Sequence, residues 1–185
     1  MAVLSGVPGA GYRDGRSPDG WRQYCAVAEI RSGGSVTTAQ ITLASNSDGV
    51  DWFRLSQIYT DAPLPIEQDP QRLRLAYERS QVCCFAWHGD LLVGACRALT
   101  DGDYWGFICD LVVAPEHQGC GLGRQILDRT IVELGVKKVI LACVKGQEGF
   151  YRKAGLLRHT AVMALYPNSD WYLDEGILED LSPDG

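Results

Sequence analysis

The sequence predicts an α/β domain: a mixed, twisted sheet of six to seven strands with helices on both faces. Three observations predict it. The segment Ile108-Cys-Asp-Leu-Val-Val-Ala-Pro-Glu-His-Gln-Gly-Cys-Gly-Leu-Gly-Arg-Gln-Ile-Leu127 reads as an apolar strand, a glycine-rich loop and the start of an amphipathic helix. Strand-like and helix-like runs follow one another along most of the chain. A length of 185 residues fits one domain, and 46% hydrophobic residues suffice for a sizeable core.

Each element has its own signal. Residues 1–20 mix Gly, Ser, Pro, Asp and Arg without periodicity and are expected to be disordered. Tyr24–Arg31 and Thr37–Ala44 read as two strands turning at Ser32-Gly-Gly-Ser35. Asp51–Tyr59 and Asp69–Ser80 read as helices. Asp51 and Asp69 are N-caps, Pro70 is at the first helical position, and Pro63 and Pro65 break the chain between the helices. Gln81–Trp87 and Leu91–Thr100 form a hairpin across His88-Gly-Asp90. Tyr104–Val113 is the central strand, and the helix Gly121–Leu134 ends at Gly135. Val136–Cys143 is a strand, Gln147–Ala154 a short helix closed by Gly155, and Ala161–Tyr166 a last strand. The domain is thus placed at residues 21–166. Residues 167–185 hold six acidic side chains and no basic one, interleaved with Trp171, Tyr172, Leu173, Ile177 and Leu178. That pattern suits a tail packing its aromatics on the domain, or an acidic wall that attracts a cation.

Composition narrows the function. No run of about 18 apolar residues is present, so no membrane helix is expected. The first residues lack the positive region and the apolar length of a secretory signal. The cysteines number seven, an odd count, with no C-x-x-C pair. They read as reduced thiols of a cytoplasmic protein. With three histidines and no ligand spacing, no metal site is expected. A net charge of −6 argues against nucleic acid and is compatible with a cationic amine.

The glycine loop carries the chemistry. A strand entering a helix through Gly119, Gly121 and Gly123 aims backbone N–H groups and the positive end of a helix dipole at one spot. That spot suits a phosphate or pyrophosphate, because a Cβ at these places would hold the ligand off the backbone. The dinucleotide pattern fails, since the third glycine comes one place early. The triphosphate pattern fails for want of Gly-Lys-Ser/Thr.

What remains is Gln118-x-x-Gly121-x-Gly123. It resembles the pyrophosphate loop of the GCN5-related N-acetyltransferase (GNAT) superfamily. Phe150-Tyr-Arg-Lys-Ala-Gly155 resembles that superfamily's second landmark, and the resemblance runs over residues 50–166. Within it, Cys109-Asp-Leu-Val-Val-Ala-Pro-Glu-His-Gln-Gly-Cys-Gly-Leu-Gly123 looks like the matching segment of plant and cyanobacterial serotonin N-acetyltransferase-like enzymes. The resemblance implies a sheet whose central strands splay to admit acetyl-CoA. It implies transfer of an acetyl group to a primary amine by direct attack, with acetyl-CoA as donor and no metal. A small arylalkylamine or polyamine is the first acceptor expected. A protein lysine, or a module that binds acyl-CoA without catalysis, are the alternatives. The expected partners are acetyl-CoA and a small amine, with no nucleic acid and no membrane, and a homodimer as the assembly.

Site residues follow from the same resemblance. Gln118, Gly119, Cys120, Gly121, Leu122, Gly123 and Arg124 grip the pyrophosphate. Leu111, Val112 and Val113 pair with the pantetheine arm, and the Leu111 N–H faces the acetyl carbonyl. Phe150 packs against the donor. Tyr151 protonates the leaving thiolate, a task for which a phenol with an ordinary pKa near 10 is suited; its other reading is a packed aromatic. Asp110, a carboxylate in an apolar strand, takes the amine proton; its other reading is a hydrogen-bonded core residue. His117 stands where the resembling enzymes have Tyr, and reads as a second proton carrier or a rim residue. Lys145 replaces an Asn common in relatives and is a phosphate candidate. A covalent route through Cys109 or Cys120 ranks low, since nothing marks either thiol as activated. Trp52, Tyr59, Trp87 and Trp105 either line an aromatic pocket or fill the core.

Overall fold

The structure, a computed structural model, describes residues 40–62, 69–166 and 169–180. The elements are β1 (Ile41–Ala44), α1 (Trp52–Asp61), α2 (Pro70–Glu78), β2 (Val82–His88), β3 (Leu91–Thr100), β4 (Trp105–Val113), α3 (Leu122–Leu134), β5 (Lys138–Leu141), α4 (Glu148–Lys153) and α5 (Ser169–Asp174). A short 3-10 turn, Pro115–His117, follows β4. The strands form one mixed sheet in the order β1-β2-β3-β4-β5. The first three pairings are antiparallel and β4–β5 is parallel.

Both expected caps form. The Asp51 carboxylate accepts the N–H groups of Phe53 and Arg54 at 3.0 and 3.1 Å, and Asp69 accepts those of Gln71 and Arg72 at 3.0 and 2.9 Å. Each cap satisfies donors that the first helical turn leaves open. β2 and β3 meet across Gly89-Asp90, where the sequence places the turn.

Two apolar layers cover the sheet. On one face the α3 stripe Leu122, Ile126, Leu127, Ile131 and Leu134, spaced for one side of a helix, packs on Cys84, Val93, Cys96 and Ile108. On the other, Leu55, Ile58 and Tyr59 of α1 and Leu73 and Tyr77 of α2 pack on Phe85, Leu92, Ala95 and Val112. Phe150 and Tyr151 of α4 join the α3 side. The sheet is therefore sandwiched as expected.

The strand count needs correction. The described residues form a sheet of five strands rather than six to seven. Tyr24–Arg31 and the first residues of Thr37–Ala44 lie outside the described residues, as do residues 1–20. Ala161–Tyr166 is described and is not a strand. Its apolar run suits a strand covered on both sides, yet it pairs with no described strand, and Met163 and Leu165 are 87% and 96% exposed. β5 is also shorter than Val136–Cys143, because its pairing with β4 covers only Lys138 to Leu141. Val136 instead turns its side chain into the α3 layer.

Of residues 167–185, the described part begins with α5. The Tyr166 and Tyr172 rings lie 4.4 Å apart between centroids, and the Lys145 ammonium donates to the Glu175 carbonyl at 3.0 Å. The segment thus rests against the β5–α4 loop.

Candidate active site

The site begins where two strands part. β4 and β5 pair from Trp105↔Lys138 to Ile108↔Leu141, and there the pairing stops. β4 runs on to Val113 while still paired to β3. From Cys109 to Val113 its other edge has no strand partner among the described residues. Antiparallel pairing alternates which backbone groups face the partner. Ala114 donates its N–H to the Val93 carbonyl at 2.8 Å, which turns Val112 and Asp110 toward β3. Leu111 and Val113 therefore present their backbone groups to the open side. The Gln118 side-chain amide supports this assignment: it donates to the Val113 carbonyl at 2.8 Å and closes the strand end.

The glycine loop completes this edge. Gly119 and Gly121 have φ of 73° and 88°, left-handed values that side chains rarely adopt. Gly121 is the N-cap of α3 and supplies no side-chain cap. The first N–H groups of α3 are left for a ligand, the requirement for holding a phosphate. At Gly123 a Cβ would stand 3.6 Å from both Phe150 and Val113, an ordinary contact, so packing inside the protein does not demand glycine there. The Arg124 guanidinium is engaged within the protein, bonding Asp128 at 2.7 Å and the Lys153 carbonyl at 2.9 Å. It ties α3 to α4. Leu111 and Val113 on the free edge, the loop from Gln118 to Gly123 and Phe150 beside Gly123 thus follow one another along the sheet, and the free backbone groups suit a pyrophosphate followed by an extended arm, whereas Val112 faces β3 and the Arg124 guanidinium is engaged within the protein.

Asp110 and Tyr151 stand on opposite faces of the sheet. The Asp110 side chain is 4% exposed and forms an ion pair with Arg97, its register partner on β3. It shares the α1–α2 face with Val112. Tyr151 packs on the α3 face, its ring 5.0 Å from Phe150. Burial pushes its phenol up to about 12, with Cys143 and Cys96 adding to the shift. It therefore stays protonated, and able to donate, through neutral and mildly alkaline pH. Only where the strands part can groups from the two faces address one ligand.

His117 lies elsewhere. Its Nε2 is 3.0 Å from Nδ1 of His88, and its buried Nδ1 has no hydrogen-bond partner. That Nδ1 lies 3.9 Å from Glu116, which bonds Arg54 at 2.8 Å. These contacts point to the β2–β3 turn, and none joins His117 to Asp110 or Tyr151. Lys145 is spent on the Glu175 carbonyl. The Cys120 thiol donates to the His117 carbonyl at 2.9 Å, and burial pushes the Cys109 thiol up. All six described cysteines are free. Among the described residues no group of three or more His, Cys, Asp or Glu is placed to hold a metal. Tyr59 is core and Trp52 packs on Tyr77 and Phe85, whereas Trp105 is 43% exposed.

Arg97, the ion-pair partner of Asp110, belongs to no motif in the sequence. A lone cation in the apolar run Val93–Leu99 facing a lone anion in the next strand was the available signal. It was hidden by a bulge at Arg97/Ala98, which shifts the register by one residue.

Comparison with known proteins agrees with this geometry. Serotonin N-acetyltransferase 2, chloroplastic, of Oryza sativa subsp. japonica is 33% identical over 120 residues, which cover 60% of this chain and 58% of the rice protein. GCN5-related N-acetyltransferase 1, chloroplastic, of Arabidopsis thaliana is 26% identical over 62% of this chain and 60% of its own length. The chain spans about three fifths of the length of these curated relatives. The structure of a candidate acetyltransferase from Deinococcus radiodurans R1 superposes with a TM-score of 0.62 at 28% identity, over 74% of this chain and 94% of that one. Glucosamine-6-phosphate N-acetyltransferase from Arabidopsis thaliana shares the fold, with a TM-score of 0.53 at 15% identity over 69% of this chain and 99% of its own. Residues 51–156 match the acetyltransferase (GNAT) family, and with the parted strands and the uncapped glycine loop on the same segment, the chain belongs to that family.

Proposed function

We propose that this protein transfers an acetyl group from acetyl-CoA to a primary amine, with a small arylalkylamine or polyamine as acceptor. The observation that carries the reading is the open β4 edge at Leu111, with a buried carboxylate on one face of the sheet, a partly buried phenol on the other, and the glycine loop following in the chain. The rice relative's name, a serotonin N-acetyltransferase, favours an arylalkylamine. The loop N–H groups hold the pyrophosphate, and the free edge of β4 pairs with the pantetheine arm as an added strand does. The Leu111 N–H faces the acetyl oxygen as charge develops there. Asp110 takes a proton from the amine, and Tyr151 gives one to the departing thiolate.

The test is purified protein with acetyl-CoA and a panel of tryptamine, serotonin, spermidine, glucosamine, lysine and a basic peptide, read by mass spectrometry. One strongly acetylated amine is expected; acetylation of the peptide alone would move the acceptor to protein lysine. With the best amine, Asp110→Asn and Tyr151→Phe are each expected to lower kcat by about 100-fold, the usual scale of a lost acid or base. Full turnover in either variant removes that residue from its role. His117→Asn tests the second proton carrier: a loss above about tenfold supports it, and a smaller one makes His117 a rim residue.

A further inference from the structure

The carboxylate of Asp110 is held from two sides. On the sheet, Arg97 lies opposite it in register and forms the ion pair. From the helix layer, the buried Tyr59 hydroxyl stands near enough to Asp110 for the carboxylate to help raise its phenol. The Tyr77 hydroxyl lies 3.0 Å from that of Tyr59. Both rings are fully buried.

The directions of these bonds follow from chemistry. An ionised carboxylate only accepts, so toward Asp110 the Tyr59 hydroxyl can act only as donor, which leaves Tyr77 to donate to Tyr59. Burial holds both phenols well above their ordinary range, so both remain donors. The chain ends at Tyr77, whose ring is packed against Trp52 and Phe85 with centroids 5.8 and 5.2 Å away. It leads into the core and not to solvent, so it offers no path for carrying a proton away. A carboxylate has about four lone-pair sites. Arg97 occupies one through its ion pair, and Tyr59 stands beside the group on the helix side.

We infer that Tyr59 and Arg97 are positioning residues, which clamp the Asp110 carboxylate from the helix layer and from β3 so that its free lone pairs meet the amine at the open edge of β4. The inference rests on Asp110 as the base. A carboxylate on a strand can rotate about its side-chain bonds, and a base displaced by an ångström loses much of its effect. Two fixed donors remove that freedom. Tyr77 supports Tyr59 and acts one step further away.

The experiment is a double-mutant cycle with acetyl-CoA and the fastest amine of the panel. Tyr59→Phe keeps the ring in the core and removes the hydroxyl. Arg97→Lys keeps the charge and removes the planar fork. Each is measured alone and combined with Asp110→Asn. Each single variant is expected to lower kcat about tenfold, with KM for acetyl-CoA within about twofold, since the loop and the β4 edge are untouched. In the Asp110→Asn background neither should lower kcat further, because the group it positions is gone. The same fold-loss in both backgrounds overturns the inference and leaves Asp110 as the base. Unchanged kcat in a single variant removes that residue from the role. Full turnover by Asp110→Asn, or no acetylated amine in the panel, overturns the base reading and this inference together.

Discussion

Tyr151 and Asp110 show how neighbours set what a side chain can do. Tyr151 was legible because Phe-Tyr lies a fixed distance before Gly155. Its surroundings were not, and they decide its acidity: burial, then Cys143 and Cys96, push the phenol up to about 12. If Tyr151 is the acid, kcat should show no alkaline loss from its ionisation up to about pH 10, which a pH–rate profile of wild type against Tyr151→Phe would check. A wild-type loss near pH 8 that the variant lacks would contradict this. Asp110 was legible as a charge within an apolar strand. Its partner Arg97 was not, because pairing depends on a bulge that no local pattern announces. His117 illustrates the limit of position in a motif: it follows the strand as expected, yet a turn of the chain delivers its ring to His88.

At the scale of elements, local chemistry was readable wherever it closed on itself. The caps at Asp51 and Asp69 need only residues two and three positions on, and both form. Replacing Asp69 by Ala should cost about 1 kcal/mol and lower Tm by about 2–4 °C, measured by thermal unfolding. An unchanged Tm would show that the cap adds nothing to α2. Gly121 is a harder case, since its φ of 88° serves the loop while nothing lies within 4 Å of the place a Cβ would take. Gly121→Ala should therefore strain the loop without a clash. The expected result is a KM for acetyl-CoA raised about tenfold with a smaller change in kcat, checked by steady-state kinetics. Elements that rely on a distant partner were less readable. Ala161–Tyr166 has a strand's composition and no strand's place, and β5 stops at Leu141, where its pairing with β4 ends.

Across the whole molecule, the sheet divides two buried layers that titrate together. Burial raises the thiols of Cys83 and Cys84 from 9.0 to about 11 and about 12, and Tyr59 and Tyr77 are raised as well. In the unfolded chain these groups ionise at their ordinary values, while the folded protein keeps them protonated. The unfolded state therefore binds fewer protons above about pH 9, and stability falls as pH rises from there toward 12. Thermal unfolding under reducing conditions should show Tm constant from about pH 7 to 8.5 and declining beyond about pH 9. A flat Tm to pH 11 would sink this account.

The sequence by itself determined the kinds and order of the elements from α1 to α4, the caps, the glycine loop and the family, because each depends on periodicity or on contacts a few residues apart. Only the tertiary structure decided how many strands pair among the described residues, where β4 and β5 part, and what holds Asp110. Those outcomes depend on register between strands far apart in the chain. One inserted residue at the bulge moves every later partner, and no property of either strand alone records it.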